Sequence, residues 1–194
     1  MSVVSIAEAW PTLGKPFTVA ELDRMPDDGY RYELLDGGLL VSPRPTPAHQ
    51  VVAFTLASIL DRACPPGWQM VPEPAVMVSS DTEFAPDIVV VGRDQLSRPK
   101  ITRPPVLVVE VQSPSTALVD LNLKKAAYER FGVGSYWVVV PDLGKPELIA
   151  FELAAGRYQE AADVIGDETF TAVRPFSIEI VPSSLVAGLQ ASSD

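Results

Sequence analysis

Two apolar runs, each carrying one acid, limit what this chain can fold into. "FAPDIVVV" spans residues 84 to 91 and "PPVLVVEVQSPS" residues 104 to 115, and both are rich in β-branched side chains. Such runs read as strands covered on both faces of a sheet. Asp87 stands in the first and Glu110 in the second, with 22 residues between them. That separation suffices for a strand, a loop and a return strand, so both carboxylates can reach one edge of the sheet. A lone buried charge is costly, and neighbouring carboxylates also repel, so the pattern calls for a shared proton or a cation. A hard divalent cation answers best, because Mg2+ uses only one or two protein carboxylates and completes its octahedron with water and phosphate oxygens.

The flanking sequence supplies the frame for this pair. "TVAE" at residues 18 to 21 fits a capping box that opens a short helix ending before Pro26. "YRYELLDGGLLVSP" alternates around Asp36 and Gly37 as a β-hairpin, with Glu33 on its first strand. Thr46 and Pro47 open a second helix whose Val52, Leu56, Ile59 and Leu60 recur at helical spacing. "QMVPEPAVMVS", "APDIVVVG" and "PPVLVVEVQS" follow as three strands, then a helix over "STALVDLNLKKAAYERFG" closed by Gly132, then the strand "SYWVVVP". The strand, helix, strand order from residue 105 to 141 implies a crossover between parallel strands. Short strands after residue 147 complete the sheet. The expected fold class is α/β, a mixed sheet with hairpins at its start and end, a parallel centre and flanking helices, within one domain of 194 residues.

The helix after Glu110 carries the opposite charge. Asp120, Lys124 and Tyr128 are spaced to share one face, while Leu123, Ala127 and Phe131 form the apolar stripe expected to seat it. Lys124 can therefore reach the carboxylate edge, whereas Lys125 points about 100° away toward solvent. A cation there would orient an attacking water and stabilise charge on a phosphoryl oxygen. Arg93, Arg98, Lys100 and Arg103, between the two acid-bearing strands, are the candidates for a phosphate-attracting rim.

Whole-chain properties exclude other classes. The net charge of −10 opposes a broad, sequence-blind grip on nucleic acid, though not a compact basic cleft. Cys64 is the only cysteine, so neither an intrachain disulfide nor a thiolate zinc cluster is open to the chain. No apolar run reaches membrane-span length, and the amino end does not read as a secretion signal, so the cytoplasm is the expected location and a membrane is not an expected partner. No serine or cysteine stands in a recognisable nucleophile setting, which leaves metal-independent ester hydrolysis without support.

In the order "RYELLDGG", "SPRPTPAHQ", "APDIVVV", "VVEVQSPST", "DLNLKKAAYERFGVGSYWVV" and "PD", the chain resembles the Uma-two family of restriction-endonuclease-like proteins, within the PD-(D/E)XK nuclease superfamily. The likeness extends over about residues 17 to 182. It implies a metal-dependent nuclease fold with Asp87 and Glu110 as ligands, Gln112 at the usual lysine position and Lys124 of the following helix in that lysine's place. Glu33 matches a further family acid. Gly38 and Ser135 stand where relatives often have glutamate. The resemblance also implies Mg2+ as cofactor with Mn2+ able to substitute, DNA as substrate, and a homodimer when both strands are cut. Removal of Asp87, Glu110 or Lys124 is expected to abolish cleavage and leave the fold intact.

Plainer roles remain open beside these. Asp87 can end its strand, since Pro86 and Asp87 are also turn residues, and Lys124 can be a helix-surface partner of Asp120. Glu33 can be structural, and His49, the sole histidine, can be a surface or capping residue, a metal ligand or an acid/base. A binding or assembly module that keeps the fold without catalysis is the alternative to the nuclease.

Overall fold

The structure, a computed structural model, describes residues 5–6, 16–113 and 117–189. In chain order it runs β1 (Ser5–Ile6), α1 (Val19–Leu22), β2 (Tyr30–Leu35), β3 (Gly38–Pro43), α2 (Pro47–Ala63), β4 (Trp68–Pro72), β5 (Val76–Ser79), β6 (Thr82–Phe84), β7 (Ile88–Gly92) and β8 (Leu107–Val111). A π-helical segment, Val119–Lys124, then leads into α3 (Lys125–Phe131), followed by β9 (Ser135–Val140), β10 (Glu147–Ala154), β11 (Arg157–Ile165), β12 (Phe170–Ala172), β13 (Ile178–Ile180) and α4 (Pro182–Leu185). The expected start of the third helix at Ser115 and Thr116 lies outside the described residues.

A six-stranded sheet in the order β11-β10-β9-β8-β7-β4 forms the centre. Its strands β8 and β9 are parallel, as the crossover through α3 requires, and the other pairs are antiparallel. Strand alternation divides the core in two. Ile88, Val90, Leu107 and Val109 face α2, whose Val52, Leu56 and Leu60 are fully buried against them. Val89, Val91 and Val108 face the other way, toward Ala127 and Tyr128 of α3 and Phe84 of β6. Coverage on both faces is the reason these strands lack polar alternation.

The amino-terminal hairpin belongs to a second sheet, β1-β3-β2-β6-β5. Its turn follows from Asp36 and Gly37, both at positive φ (47° and 79°), the geometry that two-residue hairpins favour. Gly37 also admits Pro16: a Cβ built on Gly37 would lie 2.3 Å from the Pro16 Cβ. Gly37→Ala is therefore expected to lower stability by at least about 1–2 kcal/mol, measured as a fall in melting temperature, and an unchanged melting temperature would contradict this account of the turn.

Three expectations need correction. "QMVPEPAVMVS" is two strands, because Glu73 adopts φ 45° and the chain leaves β4 in the central sheet to enter β5 in the second. Among the described strands of the central sheet, β8 and β9 are the parallel pair, and β7 runs antiparallel to β8. The carboxyl-terminal strands divide, with β10 and β11 extending the central sheet and β12 and β13 forming a separate ribbon over its α2 face.

Candidate active site

Ile88 faces Val109 across the β7/β8 ladder, so the next step in register sets Asp87 opposite Glu110. Facing residues of an antiparallel pair share one side of the sheet. Here that side is the one covered by α3 and β2. Asp87 is 4% exposed and Glu110 2%. The Val111 N–H donates to Asp87 Oδ2 at 2.7 Å, so the carboxylate takes the place of a ladder partner where β7 begins. The strand-ending role foreseen for Asp87 thus exists alongside its place in the acid pair.

The helix brings Lys124 to this pair. Its Nζ lies 3.2 Å from Glu110 Oε1, 2.9 Å from Glu33 Oε1 and 3.7 Å from Asp120 Oδ1. Tyr128 OH donates to the same Glu110 oxygen at 3.2 Å, and the Ala85 N–H donates to Glu33 Oε1 at 2.8 Å. The π-helical segment adds a residue to the turn and shifts its phase. Asp120 and Lys124 consequently both turn inward, while Leu123, expected in the apolar seat, is exposed and Val119 and Leu121 pack there instead. Lys125 is only partly exposed to solvent, and its ammonium stands 3.5 Å from the centre of the Phe151 ring.

His49 is neither a surface residue nor solely part of the helix start. Its backbone N–H donates to Thr46 Oγ1, and its ring Nε2 lies 2.8 Å from the Val111 carbonyl oxygen and 3.4 Å from Asp87 Oδ2. Gln112 is buried and its Nε2 donates to the Ala117 carbonyl at 3.5 Å, toward the start of the helix. Gly38 lies at the end of the hairpin turn, where a Cβ would stand 3.2 Å from the Leu35 carbonyl oxygen. Ser135 pairs with Glu152 on β10 at 2.9 Å. The loop cations are largely committed elsewhere: Arg103 to Asp94, Lys100 to Asp23 and Glu83, and Arg93 to the Trp68 carbonyl. The expected basic rim is therefore mostly consumed by internal pairs.

Arg31 is the contributor that the sequence reading missed. Its Nη1 is 3.6 Å from Asp87 Oδ1 and donates to the Ala85 carbonyl at 3.3 Å, while Nη2 is 2.7 Å from Glu73 Oε1. The signal lay in "YRYELL": period-two alternation puts Arg31 on the same side of β2 as Glu33.

Electrostatics follow from this crowding. Burial raises the Glu110 pKa well above the usual carboxylate range; Lys124 opposes the shift, and Asp120, Asp87 and Glu33 add to it. Burial alone would lower the Lys124 pKa, but Glu110, Glu33 and Asp120 outweigh it and hold the ammonium charged. Asp87 is lowered: burial works upward, and the bond and charge of His49, the Val111 N–H and Arg31 overcome it. His49 is raised, because Asp87 and the Val111 carbonyl outweigh burial and the charge of Arg31.

These residues suit a divalent cation in a particular way. The four carboxylates of Asp87, Glu110, Glu33 and Asp120 are gathered about two fixed cations, Lys124 and Arg31, so acids outnumber cations in the group. Asp87 Oδ1 is buried and has no hydrogen-bond partner among the described residues. No group of three or more His, Cys, Asp and Glu side chains among the described residues forms a ready-made metal cage. The fit is thus to a cation held by one or two carboxylates and otherwise by water and substrate, the manner of Mg2+.

The chain thus combines a mixed sheet flanked by helices with a pair of acids at facing positions on adjacent strands, and the fold is restriction-endonuclease-like by the following comparisons. The family model described as "Putative restriction endonuclease", Uma2, matches residues 19–183, and the chain belongs to that family. No curated protein matches it. Among solved structures it is similar to a protein from Anabaena variabilis described as a putative nuclease belonging to DUF820, with a TM-score of 0.70 at 16% identity, over 88% of this chain and 98% of that one. Among the described residues no helix is long and apolar enough to cross a membrane.

Proposed function

We propose that the chain is a Mg2+-dependent endonuclease of the PD-(D/E)XK type, with Mn2+ able to substitute, that hydrolyses the phosphodiester backbone of DNA. It acts in the cytoplasm, as a homodimer where both strands are cut. The observation that carries this reading is the facing pair Asp87 and Glu110, with a buried Asp87 oxygen lacking a hydrogen bond among the described residues and more acids than cations in the group.

Asp87 and Glu110 would hold the cation, with the Val111 carbonyl as a further oxygen. Bound there, it would supply a water of lowered pKa and neutralise charge on the phosphate. The chain's own residues orient that pair. Lys124 and Tyr128 both address Glu110 Oε1, so the other carboxylate oxygen is the one that would be offered to a cation. The Val111 N–H fixes Asp87 through Oδ2 and leaves Oδ1, which has no hydrogen-bond partner among the described residues, as the oxygen that would be offered to a cation. Lys124 also anchors Glu33, so β2 and the π-helical segment are tied to the same point.

The alternative, a binding or assembly module without catalysis, draws on one observation: Lys124 faces three carboxylates and is 4% exposed, a geometry that also suits a purely structural ion-pair group. Incubating supercoiled and linear DNA with wild type and Glu110→Ala, in Mg2+, Mn2+ or EDTA, separates the two. Metal-dependent cleavage lost in the variant is the expected result. Absence of cleavage by the wild type under every condition would favour the module.

A further inference from the structure

The site holds two fixed cations of different availability. Lys124 is 4% exposed, and its ammonium is surrounded by Glu33, Glu110 and Asp120. Arg31 is 19% exposed, and its guanidinium bridges the buried acid and the surface. It leans on Asp87 by charge, since 3.6 Å exceeds a hydrogen bond. Its short contact, 2.7 Å, goes outward to Glu73, a residue 46% exposed. Glu73 is well placed for that contact: it sits at φ 45°, its N–H donates to the Asp87 carbonyl at 3.0 Å, and Gln50 Nε2 donates to its Oε1 at 3.3 Å. The acid that holds Arg31 and the acid of the site are therefore bonded through their backbones.

A guanidinium offers parallel N–H groups that match two oxygens of one phosphate. With Nη1 already within 3.6 Å of Asp87 Oδ1, a phosphate oxygen arriving beside that carboxylate on a shared cation comes within its reach. We propose that Arg31 is the group that receives the phosphodiester at this site, and that Glu73 is an acidic brace which occupies the guanidinium until nucleic acid displaces it. The proposal rests on the nuclease reading and adds to it the residue that meets the substrate and a built-in restraint on binding. The position of Glu73 at the rim makes the restraint separable from the buried group.

Binding, not cleavage, tests it. A labelled DNA duplex is titrated by fluorescence anisotropy in EDTA and in Ca2+, across a range of salt concentrations, with wild type, Arg31→Ala, Glu73→Gln and the double variant. Loss of one phosphate contact in Arg31→Ala is expected to weaken binding about tenfold and to reduce the salt slope by about one. Glu73→Gln is expected to tighten binding roughly fivefold, the size of a partly exposed ion pair, and that gain is expected to vanish in the double variant because it acts through Arg31. Unchanged affinity in Glu73→Gln overturns the proposal, as does tightening that persists in the double variant; should Arg31→Ala fail to fold, Arg31→Gln takes its place alone and in the double variant. Wild type that binds and cleaves DNA beside an Arg31→Ala with the same affinity and slope removes only the Arg31 assignment. Wild type that neither binds nor cleaves removes the nuclease reading as well.

Discussion

Lys124→Met is expected to lower the melting temperature by about 6–20 °C. The ammonium faces three carboxylates and is 4% exposed, and removing one partner from such a group leaves buried charge without compensation, which costs about 3–5 kcal/mol. At about 2–4 °C per kcal/mol for a chain of this size the stated range follows. The loss has a second source, since Lys124 joins β8, through Glu110, to β2, through Glu33. Glu33→Gln made on top of Lys124→Met is expected to restore part of the stability by removing one of the stranded charges. Arg130→Met is the control: its pair with Asp36 is exposed on both sides, and such pairs contribute about 1 kcal/mol or less. A wild-type melting temperature for Lys124→Met would show that the carboxylates do not depend on it. The expectation that this lysine could be removed with the fold intact is accordingly revised, and cleavage assays on Lys124 variants need a folding check beside them.

Asp87→Asn is expected to keep the fold and lose cleavage by about a thousandfold or more. The asparagine oxygen can still accept the Val111 N–H that Asp87 Oδ2 accepts at 2.7 Å, so the start of β7 retains its partner. What goes is the negative charge that faces His49 and Arg31 and, in the proposed mechanism, the cation. Charge stabilisation by a bound cation amounts to several kcal/mol, and each 1.4 kcal/mol or so is a factor of ten in rate. Cleavage within tenfold of wild type, measured on supercoiled DNA in Mg2+, would remove Asp87 from the ligand set.

Local signals in the sequence were sufficient for much of this. Thr18 and Glu21 form the capping box, Thr46 and Pro47 open α2, Asp36 and Gly37 turn the hairpin, and Gly132 ends α3 at φ 92°. Each is decided within a few residues, where side-chain chemistry and backbone geometry are directly linked. The acid pair was legible for a different reason: charge inside continuous apolar strands conflicts with burial and points to a site. What stayed hidden depends on distant neighbours. Nothing in "VPEPA" marks Glu73 as the residue at φ 45° that moves the chain from one sheet to the other. The phase of the helix around Leu123 depends on the π turn, and the contact of Lys125 with Phe151 joins segments far apart in the chain. The contact of His49 with the Val111 carbonyl likewise joins residues far apart in the chain. Arg31 could have been found, since it alternates with Glu33, but an arginine on a hairpin strand has no meaning until Asp87 is known to lie beneath it.

The measurement that bears most directly on the central claim is calorimetric titration of the chain with Mn2+, after treatment with a chelator, for wild type, Asp87→Asn and Glu110→Gln. Saturable binding by the wild type, lost in both variants and accompanied by a rise in wild-type melting temperature with Mn2+ concentration, is the expected result. Absence of binding by the wild type, or equal binding by Asp87→Asn, would contradict the assignment of the facing carboxylates as a cation site.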